Sequence, residues 1–247
     1  LYATKIIGIP KDVDKTRAIM MAGTEAKIVW SIFVHSGYKK SIDKNMFDNQ
    51  MGSKQAGCEK VVHQMRLAGE IYDDVDRCYP DAEKAYYNAA RLTGLKEVKE
   101  KYPSIFNGLF AKYGQGIEGF FRGLNRGIAR KEQIEGYDPG ATETSWLYDV
   151  TLGPLINEIQ EKLRQNNSTG IVSTIIDDIS MASNFENIID ALKHIEVNGK
   201  KSGYKINFDK TQYVMCKVTN KEELLRKLHI LKEIGLKDEK IKIHPDS

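Results

Sequence analysis

Residues 169–183 read "TGIVSTIIDDISMAS", two short β-branched apolar runs with a single acidic pair, Asp177 and Asp178, between them. Runs of this length and composition are strands, and the two or three residues left over can only turn the chain back as a hairpin. That puts two carboxylates side by side at the tip, where like charges repel. A solvated turn relieves the repulsion, since Asp is a common turn residue. A divalent cation relieves it too, and the apolar strands on both sides set the acids at the mouth of a sheet rather than on a long loop. Both readings stay open from the dipeptide alone.

The rest of the chain supplies a core for such a sheet. At 247 residues and 41% hydrophobic content it is long enough for one large domain or two lobes. Apolar runs such as "KIVWSIFV" stop short of the roughly 18–20 residues a spanning helix needs, so no membrane partner is expected. Cys58, Cys78 and Cys216 are far apart and odd in number. That argues against a disulfide framework or a Cys/His zinc cluster and for a reducing, intracellular compartment. A net charge of +3 is weak support for nucleic acid.

Along the chain, "KIIGIPKDVDKTRAIMMAG" predicts two strands around a charged turn, and "TEAKIVWSIFVHSGYKKSI" leans to helix. Val61, Met65, Ala68 and Tyr72 fall on one face of a helix in "CEKVVHQMRLAGEIYDD". Residues 82–114 read as helix broken near Pro103, and the Gly-rich basic stretch 113–145 as loop or hairpin. Pro154 suits the first turn of a helix over "LGPLINEIQEKLRQN". Ser183 with Glu186, and Thr219 with Glu222, make two capping boxes, and Gly235 closes the last helix. "GYKINFDKTQYVMCKV" reads as strand, turn, strand. The fold class is α+β.

A second acidic stretch, "IYDDVDRCYPDAEKAYYN", holds Asp73, Asp74 and Asp76, with Tyr79 five positions after Asp74. Joining nucleotides takes two metals held by carboxylates from separate strands, and an acidic strand beside an acidic hairpin would supply that. The plain alternative is a helix start rich in Asp.

Taken in order, these segments resemble the reverse transcriptases, most closely those of non-LTR retrotransposons. "IPKDVDKTRAIMM" looks like the fingers strand, with Arg17 in the Arg position and Ala18 where Pro is expected. "NQMGSKQAGCEKVVHQMR" is similar to "Q-x-G-F-R-x-G", with Lys54 for Arg. "DVDRCYPD" resembles the first catalytic motif from Asp74, "IIDDI" the "Y-x-D-D" hairpin with Ile175 for Tyr, and "GYKINFDKTQYVM" the "G-L-x-I-N-x-x-K-T" motif with Asn207 and Lys210 in register. The resemblance implies right-hand polymerase fingers and palm, an antiparallel palm sheet backed by helices, with 1–70 fingers-like and 71–247 palm-like. It implies Asp74, Asp177 and Asp178 as ligands of Mg²⁺ or Mn²⁺, Lys210 near the leaving phosphate, and Arg17 and Lys54 on triphosphate oxygens. Tyr79 would then lie beneath the incoming sugar.

The pattern also departs from the family. "LGPLINEIQEKL" looks like the helix after "Q-G-D-x-L-S-P-L", but Leu147 and Tyr148 fall at Gln and Gly in one alignment, and in the other "EGYDPG" keeps glycines without the Gln. A bulky side chain at the glycine would obstruct the nascent base pair. No thumb-like stretch follows "KIKIHPDS". Two functions follow as alternatives. One is an RNA-directed DNA polymerase, intact or impaired, using an RNA template, a primer DNA and dNTPs. The other is a former polymerase recruited as an inactive subunit of a ribonucleoprotein or other large complex, holding structural RNA through Arg122, Arg126 and Arg130 of the basic stretch "FFRGLNRGIARK". A different palm-bearing nucleotidyltransferase or nucleotide cyclase is a third and weaker reading.

Overall fold

The computed structural model describes residues 4–12, 15–35, 46–52, 54–115, 117–122, 128–165, 168–216, 218 and 220–243. The chain forms two compact units, residues 1–46 with 84–151 and residues 47–83 with 152–247. The division is interleaved: the chain enters the second unit at Phe47, leaves after Glu83 and returns at Leu152.

In the first unit, β1 (Thr4–Asp12) and β2 (Lys15–Ala22) pair antiparallel, the two strands expected around the charged turn, and α1 follows (Thr24–His35). A short helix α3 (Ala85–Asn88) leads to α4 (Arg91–Lys101) and α5 (Pro103–Tyr113). The break between the last two falls at Pro103, whose fixed φ and missing N–H suit a first helical turn. The Gly-rich basic stretch is a hairpin, β4 (Ile117–Arg122) with β5 (Ile128–Gln133), and β4 runs parallel to β1. These strands form a sheet ordered β2-β1-β4-β5. Lys112 is buried against Glu143, which also accepts from the Tyr113 hydroxyl at 2.8 Å, with Asp138 3.7 Å from the ammonium.

The second unit holds a five-stranded sheet, among the described residues, ordered β6-β7-β3-β8-β9: β3 (Asp76–Tyr79), β6 (Ile171–Ile175), β7 (Asp178–Ser183), β8 (Gln212–Met215) and β9 (Ile241–Ile243). Its pairings are antiparallel except β8 with β9, which is parallel. Helix α2 (Gly57–Ile71) covers one face: Val61, Met65 and Ala68, spaced to share a helix face, pack on Val75 and Ala182. Behind the other face lie α7 (Phe185–Asn198) and α8 (Lys221–Glu233). Their caps differ from the expected boxes. Asn184 accepts from the Asn187 N–H at 2.9 Å and Asn220 from the Glu222 N–H at 2.9 Å. Ser183 instead donates to the Leu163 carbonyl at 2.8 Å, so the residue one place nearer the helix takes the capping role.

Helix α6 spans Thr144–Leu163, its residues up to Thr151 belonging to the first unit and those from Leu152 to the second. Pro154 therefore lies inside this helix and not in its first turn. Glycine at 153 leaves room for the Phe47 ring, which lies where a Cβ would be. Leu147 and Tyr148 are wholly buried, with Tyr148 tilted against Tyr86 at 5.3 Å, and the glycine-bearing loop 136–140 lies ahead of the helix. No helix among the described residues is long and apolar enough to cross a membrane.

Candidate active site at the tip of the five-stranded sheet

The acidic hairpin is a two-residue turn. Ile175 pairs with Asp178, leaving Ile176 and Asp177 to reverse the chain. Ile176 has φ +59°, the sign that the first position of a type II′ turn demands and that a β-branched residue resists. Holding it there costs on the order of 1–3 kcal/mol. Asp178 is exposed at the start of β7, while Ile179, Met181 and Ala182 behind it are buried.

Strand β3 decides which other carboxylate can join this pair. Asp76 is level with Ser183 and Cys78 with Met181, so β3 runs toward the turn as β7 runs away from it. Ser183 is five residues from Asp178, about 17 Å at ~3.4 Å per residue. Asp74, two residues before Asp76, lies at the far end of the strand and is not brought to the pair. Asp76 is wholly buried and structural: it accepts from the Tyr213 hydroxyl at 2.8 Å and the Cys216 N–H at 2.7 Å, and lies 3.6 Å from the Lys227 ammonium. Tyr79 packs with Met51, Ile171 and Ile175 against the core under α2.

Running toward the turn, β3 carries the chain past Cys78, level with Met181, so Asp81 follows at the hairpin end of the sheet. Pro80 ends the strand, and the Asp81 backbone is fixed on both sides. Its N–H donates to Thr211 Oγ1 at 3.2 Å and its carbonyl accepts from the Asn207 N–H at 2.8 Å. Asp81 Oδ2 is buried without a hydrogen bond, 3.5 Å from the ammonium of Lys210. Tyr204 lies among these groups, its hydroxyl donating to the Pro80 carbonyl at 3.3 Å. Burial first, then the negative charge of Asp81, Asp177, Cys78 and Asp178, pushes its phenol well above the ordinary value. One buried ring thus feels all three carboxylates.

Sequence reasoning missed Asp81, although two signals pointed to it. The five-residue spacing from Asp to an aromatic recurs at Asp81 and Tyr86. An acid that meets a hairpin tip must also stand at the end, not the start, of the antiparallel neighbour. Among the described residues no group of three His, Cys, Asp or Glu stands close enough to hold a metal ion. The donor set still suits Mg²⁺ or Mn²⁺: carboxylate oxygens from the hairpin tip and from the residue that follows Pro80, one of them buried and without a hydrogen bond.

The remaining expected residues are dispersed. Lys54 is half-buried, and its ammonium donates to the Asp48 carbonyl at 2.5 Å. Arg17 stands opposite Ile9 in β2. Arg122 and Arg130 stand opposite Ile128 and Phe120 in the β4–β5 hairpin, so their four-residue spacing is not helical. Arg126 lies outside the described residues.

No protein-family model and no curated protein matches the sequence. Solved structures do match. The apo telomerase of Candida tropicalis, truncated from the C-terminal domain, superposes with a TM-score of 0.64 at 10% identity over 89% of this chain and 51% of that one. Telomerase of Candida albicans, in complex with a TWJ fragment of telomeric RNA, gives 0.63 at 12% identity over 88% and 42%. The BmCPV RNA-dependent RNA polymerase at elongation state gives 0.56 at 15% identity over 85% and 20%. The chain spans about half of the first of these and less of the others. Likeness at such identities speaks to architecture: the chain is an α+β protein with a polymerase fingers–palm fold, its palm sheet mixed at the β9 edge and backed by helices.

Proposed function

We propose that this chain is the fingers and palm of a reverse transcriptase-like polymerase of the non-LTR retrotransposon type, with Asp81, Asp177 and Asp178 as its metal-holding carboxylates. The observation that carries the reading is the register of β3 and β7, which runs Asp81 toward Asp178 while leaving Asp74 at the other end of the sheet. The charge of all three acids on Tyr204 supports it.

Asp81, Asp177 and Asp178 would hold Mg²⁺ or Mn²⁺. When bound, such ions neutralise the attacking hydroxyl and leaving pyrophosphate of nucleotidyl transfer. The chain's own contribution is placement. Tyr204 and Thr211 hold the backbone on either side of the Pro80–Asp81 bond. Lys210 keeps an ammonium 3.5 Å from Asp81, where it can meet a phosphate oxygen. Arg17 and Lys54 are proposed for triphosphate oxygens, for which the guanidinium fork of Arg is the better match. Leu147 and Tyr148 are packed in the core of α6 and present no surface of their own, which supports the alignment in which the glycine loop 136–140 precedes the helix. An RNA template, primer DNA and dNTPs are the proposed partners, as is RNA for the complexed telomerase neighbour.

The recruited, inactive ribonucleoprotein subunit is favoured by one observation: Asp81 is already paired with the Lys210 ammonium at 3.5 Å. Primer extension on an RNA template with Mg²⁺ or Mn²⁺ separates the two. Extension lost in Asp81→Asn and in the Asp177→Asn/Asp178→Asn pair, and kept in Asp74→Asn, is the expected result. Dependence on Asp74 would overturn the assignment. RNA binding without extension would favour the scaffold.

A further inference from the structure

The loop ahead of α2 reaches the acidic hairpin. The Met51 N–H donates to the Thr174 carbonyl at 2.7 Å and the Thr174 N–H to the Asn49 carbonyl at 2.9 Å, so residues 49–51 lie as a parallel bridge beside β6. Gln50, at the centre of that bridge, is 2% exposed. Its amide oxygen accepts from two backbone N–H groups, Gly52 at 3.1 Å and Ile176 at 3.2 Å.

We propose that Gln50 is a positioning residue for the acidic pair: its side-chain oxygen clamps the turn that carries Asp177 and Asp178. Ile176 opens a two-residue turn in a backbone region its branched side chain disfavours, and a turn held that way relaxes unless its surroundings fix it. The Gln50 oxygen supplies a fixed acceptor from a separate segment of chain, itself pinned to β6 by two backbone bonds. Gly52 completes the clamp by close approach. A Cβ at that position would lie 3.3 Å from Gln50 Oε1, from Ile176 Cγ1 and from the Ile176 nitrogen at once. Alanine there would push on the same bond from the other side. The bond from the Gly52 N–H to the buried glutamine is local and orders the loop. The glutamine's reach to residue 176, across 126 positions of sequence, makes the position of the carboxylates depend on the loop.

The role in metal positioning rests on the polymerase reading; the clamp does not. Residue-resolved hydrogen exchange on the whole chain tests the clamp. Gln50→Leu should exchange the Ile176 amide about tenfold faster, the size expected for one lost hydrogen bond, with Ile179–Ala182 unchanged. Gly52→Ala should do the same. Gln50→Glu keeps an acceptor oxygen and should retain the protection, a rescue that general destabilisation would not give. An Ile176 amide as slow in Gln50→Leu as in the parent, or a uniform rise across β6 and β7, overturns the proposal. Binding of Mn²⁺ alone, followed by its electron spin resonance signal, is the second readout. Affinity several-fold weaker in Gln50→Leu supports positioning, and affinity unchanged despite a loosened turn refutes it. A parent chain that binds no Mn²⁺ sinks the polymerase reading and the clamp's role in metal positioning, whereas the exchange result still decides the clamp itself.

Discussion

Removing the Asp76 carboxylate should cost far more stability than removing any other acid of the run 73–81. Asp76→Ala would leave the Tyr213 hydroxyl and the Cys216 N–H without their acceptor and take from Lys227 the buried one of its two carboxylate partners, leaving only the half-exposed Glu223. Breaking a buried pair by deleting one partner costs about 3–5 kcal/mol. Asp74→Ala, at an exposed position, should stay within about 0.5 kcal/mol. Tryptophan fluorescence will not report the difference, because Trp30 and Trp146 both belong to the first unit. Cys78 does report it: it sits in β3 of the second unit and is 0% exposed. In a Cys58→Ser/Cys216→Ser background, its labelling by a thiol reagent requires the sheet to open. The labelling rate tracks the population of the open form when reclosing outpaces modification. A loss of about 3–5 kcal/mol then raises the rate by roughly two to four orders of magnitude. A rate within about tenfold of the parent would refute the argument, and equal effects of Asp74→Ala and Asp76→Ala would refute the assigned register.

Two further outcomes follow from buried charge. Burial, then the carboxylate of Asp76, pushes the Cys216 thiol up to about 12, so at pH 8 iodoacetamide should modify exposed Cys58 and leave Cys216 unmodified, as mass spectrometry would show. Burial raises the Asp138 carboxyl above its usual range, against the pull of Lys112 and Arg91 and with the push of Glu143. Its folded pKa exceeds its unfolded one, so the stability it contributes is full below the unfolded value of ~3.9 and is lost as pH rises through the folded value. Asp138→Asn should flatten that part of the first unit's stability-versus-pH curve, read from tryptophan fluorescence in urea; an unchanged slope would contradict it.

The elements with a strong period were legible in the sequence. The β1–β2 pair, the β6–β7 hairpin and the α2 face of Val61, Met65 and Ala68 all stand where alternation or helical spacing puts them. What failed depended on partners distant in sequence. Pro154 carries a local signal for a helix start, but α6 had already begun at Thr144, with Leu147 and Tyr148 buried in its first turns. Asp74 and Asp81 satisfy the same spacing to an aromatic, and only the pairing of β3 with a strand about a hundred residues later distinguishes them. Gln50 carries no local mark at all, because its role lies in a hydrogen bond to residue 176.

That long-range pairing also sets an order of assembly. Strand β3 is the centre of its sheet, yet its neighbours β7 and β8 lie roughly 100 and 135 residues downstream, beyond the whole of the 84–151 segment. Closing a loop of the longer span costs about 4 kcal/mol of chain entropy before a single strand contact is gained. As the chain leaves the ribosome, β3 must wait with both edges open until residues near 183 and then 215 emerge. Folding of the second unit should therefore be slow and late, and its central strand exposed to mispairing during synthesis in a way that the mature sheet conceals.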